Sequence, residues 1–391
     1  MGRLDQSTAG LLAAVCLSAC AGPAVDPEGW PGYAPLGGSE EWEQVSNEPI
    51  LDRARPPAGL PAETARRAFV SWNDPSVMKE GALYSMWASL GLRSRGRGVS
   101  IYKLTSPDGV SWSLENGGQP VLSPGTRSRR DFDGYGVATP DVIKAGGVYH
   151  LYYTAHKDPH PRRGGILFTM GHATSPDGVH WTRRGELRSL THVVGEREGN
   201  PWGWLARAEP AAVHHEGTFY LYFADVRCRQ DDCAGFPRGV RGISLATSRD
   251  GQRFTQVGSE PILLQSEHYA PEFGWEGYST PWVYHDGEHF QLYVDLFRVG
   301  GAGTFQTAIA HYRSSDGIHF EEMETDIVTT RGHPWAFTSV RAPSVVQDGD
   351  RLMMWYAGDS FDPVVHTGND IASGRVRIGI GLATRAVEAD R

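Results

Sequence analysis

Thr105-Ser-Pro-Asp-Gly-Val-Ser-Trp112 returns as Thr174-Ser-Pro-Asp-Gly-Val-His-Trp181, Thr247-Ser-Arg-Asp-Gly-Gln-Arg-Phe254 and Arg313-Ser-Ser-Asp-Gly-Ile-His-Phe320. Asp-Gly between two strand-like runs signals a hairpin, because the tight turn needs positive φ. Four copies spread along one chain point to a repeat architecture.

A second pattern recurs five times: a Pro, a short apolar run, a Gly turn, then alternating aromatics. Asp74-Pro75 leads to Ala82-Leu-Tyr-Ser-Met-Trp87, and Thr139-Pro140 to Val148-Tyr-His-Leu-Tyr-Tyr153. Glu209-Pro210, Thr280-Pro281 and Ala342-Pro343 lead to Thr218–Phe223, His289–Val294 and Arg351–Tyr356. The prolines stand at 75, 140, 210, 281 and 343, a period of 62 to 71 residues. Each repeat reads as four antiparallel strands. The third is a segment such as 165–173 or 307–312, and the fourth follows the Asp-Gly turn. Four-stranded units repeated radially make a propeller, whose blades must stack to bury their faces.

The fifth repeat ends after its third strand, 376–384. Glu41-Trp-Glu-Gln-Val-Ser-Asn-Glu-Pro-Ile-Leu51 matches the fourth-strand segment Phe254-Thr-Gln-Val-Gly-Ser-Glu-Pro-Ile-Leu263. The expected fold is therefore all-β: a five-bladed β-propeller of four-stranded antiparallel blades, with the N-terminal strand closing the last blade. Closure leaves no unpaired edge at the seam and argues for one domain over residues 39–391.

The segment before it reads as export machinery. An apolar run from Ala9 follows Arg3 and ends in Leu17-Ser-Ala-Cys20, too short to span a bilayer but suited to a signal peptide. Its end resembles a bacterial lipobox, with Cys20 the lipidated residue; the plain alternative is a secretory signal. Residues 1–20 are thus a lipoprotein signal peptide and 21–38, rich in Pro and Gly, a tether. The expected location is the cell envelope, through the lipid anchor (the outer membrane in a Gram-negative cell), or the exterior. Cys228 and Cys233 then face an oxidising compartment, where a disulfide closing a short loop is expected. A metal site is the alternative, without a second Cys/His pair at zinc-like spacing.

Net charge is -9, from 46 acidic and 37 basic residues. Such a surface repels phosphate backbones, so no nucleic-acid partner is expected. The chain is expected to be a monomer and to meet the membrane through its anchor only.

In a propeller the first strand of each blade lines the central channel, so residues beside the five prolines should converge on one funnel. Asp74, Asp141 and Glu209 bring carboxylates from three blades, and the leading loops add Asp133-Gly-Tyr135 and Glu276-Gly-Tyr278. Arg207 stands three residues before Pro210 and Arg341 two before Pro343. Paired carboxylates are what glycoside cleavage needs, one protonated and one ionised; crowding like charges separates their pKa values. Trp72, Trp202, Trp204, Trp275, Trp282 and Trp335 offer flat faces for sugar rings. The alternative is that Asp beside Pro caps a turn and Trp packs between blades.

These motifs resemble the five-bladed propeller glycosidases: glycoside hydrolase family 43, with likeness to the invertase and levansucrase group and to the family 130 phosphorylases. Trp72-Asn73-Asp74-Pro75-Ser76 resembles the blade-one motif, whose Asp is base or nucleophile. Ala138-Thr139-Pro140-Asp141 resembles the Ala-Pro-Asp of blade two. Arg207-Ala-Glu209-Pro210 sits where many members place an Asp-Pro that tunes the acid. The family's acid is a Glu two residues before the blade-four Pro; here that residue is Ser279, and Glu276 or Glu209 would have to serve. The resemblance implies a glycoside hydrolase with Asp74 as base, Glu276 or Glu209 as acid and Asp141 orienting. Trp72, Asn73, Asp133, Tyr135, Arg207, Trp275, Tyr278, Trp282, Trp335 and Arg341 would contact the carbohydrate substrate. The alternatives are a phosphorylase, a non-catalytic glycan-binding lipoprotein, or a protein-interaction propeller. No cofactor is required. Related propellers sometimes hold a calcium in the central channel, and His311, on a third strand, could approach the axis.

Overall fold

The computed structural model describes residues 41–387 except 93–97, 126–130, 158–166, 191–205, 229–238, 265–275, 301–302 and 361–376. At a few strand ends only the backbone is described. The signal segment, Cys20, the tether, Trp202, Trp204, Cys233 and Trp275 lie outside the described residues, as do the side chains of Cys228 and Glu276.

Five antiparallel sheets form the domain. Blade 1 is β3 (Ala68–Glu80), β4 (Leu83–Leu92), β5 (Val99–Ser106) and β6 (Ser113–Leu114). Blade 2 is β7 (Gly136–Ala145), β8 (Val148–Lys157), β9 (Leu167–Ser175) and β10 (Thr182–Glu186). Blade 3 is β11 (Ala206–His215), β12 (Thr218–Cys228), β13 (Gly239–Ser248) and β14 (Thr255–Gln256). Blade 4 is β15 (Glu276–His285), β16 (Phe290–Gly300), β17 (Gly303–Ser314) and β18 (Glu321–Glu324). Blade 5 is β19 (Ser339–Asp348), β20 (Arg351–Ser360) and β21 (Arg377–Ala386). Its outer edge is completed by β1 (Glu43–Gln44) and β2 (Leu51–Asp52), which pair with β21 through Glu43↔Thr384 and Leu51↔Ile380. The ring closes as the sequence match between 41–51 and 254–263 requires.

The buried core falls into five clusters, one at each seam between adjacent blades. Leu151, Tyr153 and Val142 of blade 2 meet Trp87 and Ile101 of blade 1; Phe219, Leu221 and Phe223 of blade 3 meet Tyr152 and Met170. Blade 4 packs on blade 3 through Val283, Leu292 and Tyr222, and blade 5 on blade 4 through Trp335, Met354 and Ile309. The fifth cluster joins Trp355 and Leu382 to Trp72 and Met86, from opposite ends of the chain. Each fully buried large apolar side chain contributes about 1.5–3 kcal/mol, so the ring is held by seams formed between blades.

The Asp-Gly motif differs from a two-residue hairpin. β5 ends at Ser106 and β6 begins at Ser113, so a six-residue turn intervenes. Within it the Ser106 hydroxyl accepts the amides of Asp108 (3.2 Å) and Gly109 (2.8 Å). Asp108 Oδ1 accepts those of Val110 (2.8 Å) and Ser111 (2.7 Å). Ser175/Asp177, Ser248/Asp250 and Ser314/Asp316 repeat this. The local side-chain bonds satisfy four backbone donors that a tight hairpin would pair across strands.

The glycine makes this turn a latch. Trp87 of blade 1 donates its indole N–H to Gly178 O of blade 2 (2.9 Å), and Trp355 of blade 5 to Gly109 O of blade 1 (2.8 Å). Tyr152 and Tyr222 donate their hydroxyls to Gly251 O (2.8 Å) and Gly317 O (2.7 Å) of the following blade. Thus the aromatic run on one blade's second strand grips the next blade's turn. Blade 5 lacks this turn, and there Tyr293 of blade 4 meets Trp42 edge-on at 6.5 Å.

Candidate functional site

All five pre-proline residues lie in the left-handed region: Asp74 (φ 50°), Thr139 (41°), Glu209 (57°), Thr280 (34°) and Ala342 (49°). A residue before proline ordinarily stays extended. The register explains the exception. Asn73 pairs with Ser89 and Ser76 with Trp87, so β3 spends one residue more than β4 at this point. The same extra residue occurs at Ala138/Asp141, Ala208/Pro210, Ser279/Trp282 and Arg341/Ser344. Each inner strand therefore carries a β-bulge at its proline, which has no N–H to leave unpaired. The bulge aims the pre-proline side chain at the axis, at a cost of about 1–3 kcal/mol per strained residue.

The result is a solvent-open funnel on the axis, lined by all five pre-proline residues and all five prolines, with Asp141 and Trp282. The predicted convergence of Asp74, Asp141 and Glu209 is thereby observed.

At four of the five seams around this funnel the pre-proline amide reaches the preceding blade. Thr139 N–H reaches Ser89 Oγ of blade 1 (3.1 Å), and Glu209 N–H reaches Thr154 Oγ1 of blade 2 (2.8 Å). Thr280 N–H reaches Glu209 Oε2 (3.1 Å), and Ala342 N–H reaches Thr280 Oγ1 (3.0 Å). Ser279 also donates its hydroxyl to Glu209 Oε2. Burial pushes the Asp74 carboxyl up to about 6; Arg341 pulls the other way and the charge of Glu209 adds to the rise.

A second set of ties, at three seams, lies one position beyond the prolines. Ser76 Oγ accepts Val142 N–H (3.0 Å), Asp141 Oδ2 accepts Ala212 N–H (2.7 Å) and Ser344 Oγ accepts Val77 N–H (2.9 Å). Asp141 thus does for blades 2 and 3 what serines do at two other seams. Burial pushes its carboxyl up to about 7, against the pull of the Ala212 amide.

Several expected ligand contacts are structural instead. Trp72 is 1 % exposed and packs edge-on against Tyr102, while Trp335 is 2 % exposed and stacked on Tyr356. Neither presents a face to a sugar, because both fill blade seams. Trp282 lines the funnel but donates its indole N–H to Val345 O (3.0 Å). Tyr135 and Tyr278 are buried, the latter bonded to the Tyr312 hydroxyl (3.1 Å). Asp133 accepts from Tyr153 (3.0 Å) and Arg183 (2.9 Å). Arg207 is buried against Asp225 (3.3 Å), and Arg341 against Asp359 and Asn73 (3.0 Å). These two arginines neutralise carboxylates inside the blades, and Asn73 serves as a tie to blade 5. His311 is stacked on Tyr293 at 4.4 Å and bonded to Gln291 (2.6 Å), within blade 4. Among the described residues no three His, Cys, Asp or Glu side chains gather as metal ligands. Glu276 begins β15, paired with Arg298, three residues before Ser279.

A carboxyl close to Glu209 was not singled out by sequence reasoning. Asp295, on the second strand of blade 4, is fully buried and sits opposite Ser279 in register. Aligning the second strands of the repeats would have found it, because it interrupts an apolar run where the other blades have Ser89, Thr154, Ala224 and Ala357.

No known protein-family profile matches the chain. Two curated relatives, the uncharacterized proteins MT1551 and Rv1502 of Mycobacterium tuberculosis, are 27% identical over 164 residues, 41% of this chain. The chain spans about half the length of these relatives, 47%. Solved structures agree over far more of it. A glycoside hydrolase superposes with a TM-score of 0.60 at 12% identity, covering 90% of this chain and 95% of its own. A family 117 glycoside hydrolase from the marine bacterium Zobellia galactanivorans gives 0.56 at 16%, covering 90% and 92%. A member of the GH130 family of mannoside phosphorylases, which contains glycoside hydrolases, gives 0.54 at 14%, covering 90% and 95%. The chain shares its five-bladed propeller fold with these solved structures.

Proposed function

We propose that the protein is a glycoside hydrolase that cleaves an oligo- or polysaccharide in the axial funnel. The observation that carries this reading is the placement of Asp74 and Glu209 on strained bulges of two different blades, both lining one opening. A carboxylate is more than an inter-blade tie needs at such a position, since at Thr280 a hydroxyl accepts the next blade's amide. Hydrolysis of a glycoside needs one carboxylate to activate water or attack the anomeric carbon, and a carboxylic acid to protonate the leaving oxygen. Asp74 takes the first role and Glu209 the second. Ser279 and the Thr280 amide fix one oxygen of Glu209 and so direct the other. Asp141 braces blades 2 and 3 beneath the pair. The leader and Cys20 fit delivery to the cell envelope.

Asp74 must be ionised to act, so kcat/KM should rise with pH through about 6. The test is the pH dependence of reducing-end release from a polysaccharide panel by wild type and Glu209→Gln. An acid limb near that value in wild type, with at least ~100-fold lower turnover in the variant, supports the assignment. Wild-type turnover by Glu209→Gln would remove Glu209 from the mechanism.

A further inference from the structure

Asp295 does more than its place among the inter-blade ties requires. In blades 1 and 2 the same second-strand position holds Ser89 and Thr154, whose hydroxyls accept the next blade's pre-proline amide at 3.1 and 2.8 Å. In blade 4 that amide belongs to Ala342 and already reaches Thr280 Oγ1 at 3.0 Å, while Asp295 Oδ2 lies at 3.4 Å. A hydroxyl therefore suffices as the tie. Burying a carboxyl there instead is costly unless it is paired or protonated. Asp295 is 0 % exposed, and its Oδ1 has no hydrogen-bond partner among the described residues.

Its other contacts lead to the funnel. Thr280 donates its hydroxyl to Asp295 Oδ2 and its amide to Glu209 Oε2 (3.1 Å), so one residue bridges the two carboxyls. We propose that Asp295 is a positioning residue for Glu209: a buried carboxylic acid that fixes Thr280 and governs the charge Glu209 can carry. This rests on the hydrolase reading for its catalytic consequence. The charged groups facing Asp295 are Glu209 on β11 and Arg341 on β19, the latter held by Asp359. Burial and then the Glu209 charge push Asp295 up to about 8, against Thr280, the Ala342 amide and Arg341. Protonated, Asp295 adds no charge beside Glu209; ionised, its negative charge opposes ionisation of Glu209 and so keeps that acid protonated to higher pH, which sets the alkaline side of the activity profile.

The test has a substrate-free arm and a catalytic arm, both on the full chain. In the first, glutamate is 13C-labelled at the carboxyl, and the Glu209 resonance, assigned by its loss in Glu209→Gln, is followed against pH. It should move near pH 8 in wild type and not in Asp295→Asn. Absence of that movement in wild type, or its persistence in Asp295→Asn, overturns the proposal whatever the enzyme's substrate. In the second, Asp295→Thr installs the hydroxyl that blade 2 uses. Turnover of a 4-nitrophenyl glycoside panel should show kcat lowered roughly tenfold or more with KM little changed, and the alkaline limb displaced. A wild-type profile in Asp295→Thr would reduce Asp295 to a tie. Failure of wild type on every glycoside would count against the hydrolase reading, and the resonance arm would still decide the role of Asp295.

Discussion

Adding one methyl group at Gly178 should open the seam between blades 1 and 2. The residue has φ +71°, and a Cβ there would lie 2.8 Å from the Trp87 indole carbon Cζ2. The left-handed conformation alone costs an alanine about 1–2 kcal/mol. The indole must also retreat, and its N–H loses the 2.9 Å bond to Gly178 O. A buried donor left unsatisfied costs about 1–3 kcal/mol more. Gly178→Ala should therefore destabilise by roughly 2–5 kcal/mol, the sum of those two ranges. Gly146 supplies the control: its φ is +57° and nothing lies within 4 Å of its would-be Cβ. Gly146→Ala should cost only the conformational part, about 1–2 kcal/mol. Urea denaturation of both variants isolates the latch, provided the m-value is unchanged. Unfolding free energies for the two that agree within about 0.5 kcal/mol would refute the claim that aromatic grips on these turns hold the ring.

Three further outcomes follow from the same contacts. Asp141 has a raised pKa, so its protonated form is the one the fold favours; relative to Asp141→Asn, wild type should be most stable near pH 4 and lose stability as pH rises to about 7, read from thermal midpoints. Trp72→Ala should lower stability by about 3–5 kcal/mol, because Trp72 is seam packing; calorimetry showing a stable protein with lost sugar affinity would return it to the binding site. Arg341→Met should cost about 3–5 kcal/mol by stranding the buried Asp359, whereas a near-neutral result in denaturation would show that this pair is dispensable.

The ring itself was legible in the sequence because repetition carries it. Five prolines at near-constant spacing give the inner strands, and the match between 41–51 and 254–263 gives the closure. The convergence of Asp74, Asp141 and Glu209 followed from the same geometry. Less legible was what a local propensity rule hides. Pre-proline residues read as extended, yet all five adopt positive φ, because an extra residue in the inner strand must be absorbed next to a residue with no N–H. Composition also misled: Trp72 and Trp335 look like sugar platforms until their burial in seams is seen. Asp295 escaped notice because its motif neighbours are apolar and its importance appears only when equivalent strands of different blades are compared. Asp133 and the two arginines show the converse, charged residues near the prolines whose partners are inside the blades.

The most direct measurement is glycan turnover by Asp74→Asn beside calorimetric binding of the same oligosaccharides. The account predicts that wild type cleaves at least one of them, and that the variant keeps its fold and its affinity while cleavage is abolished. Equal cleavage by wild type and Asp74→Asn would contradict it.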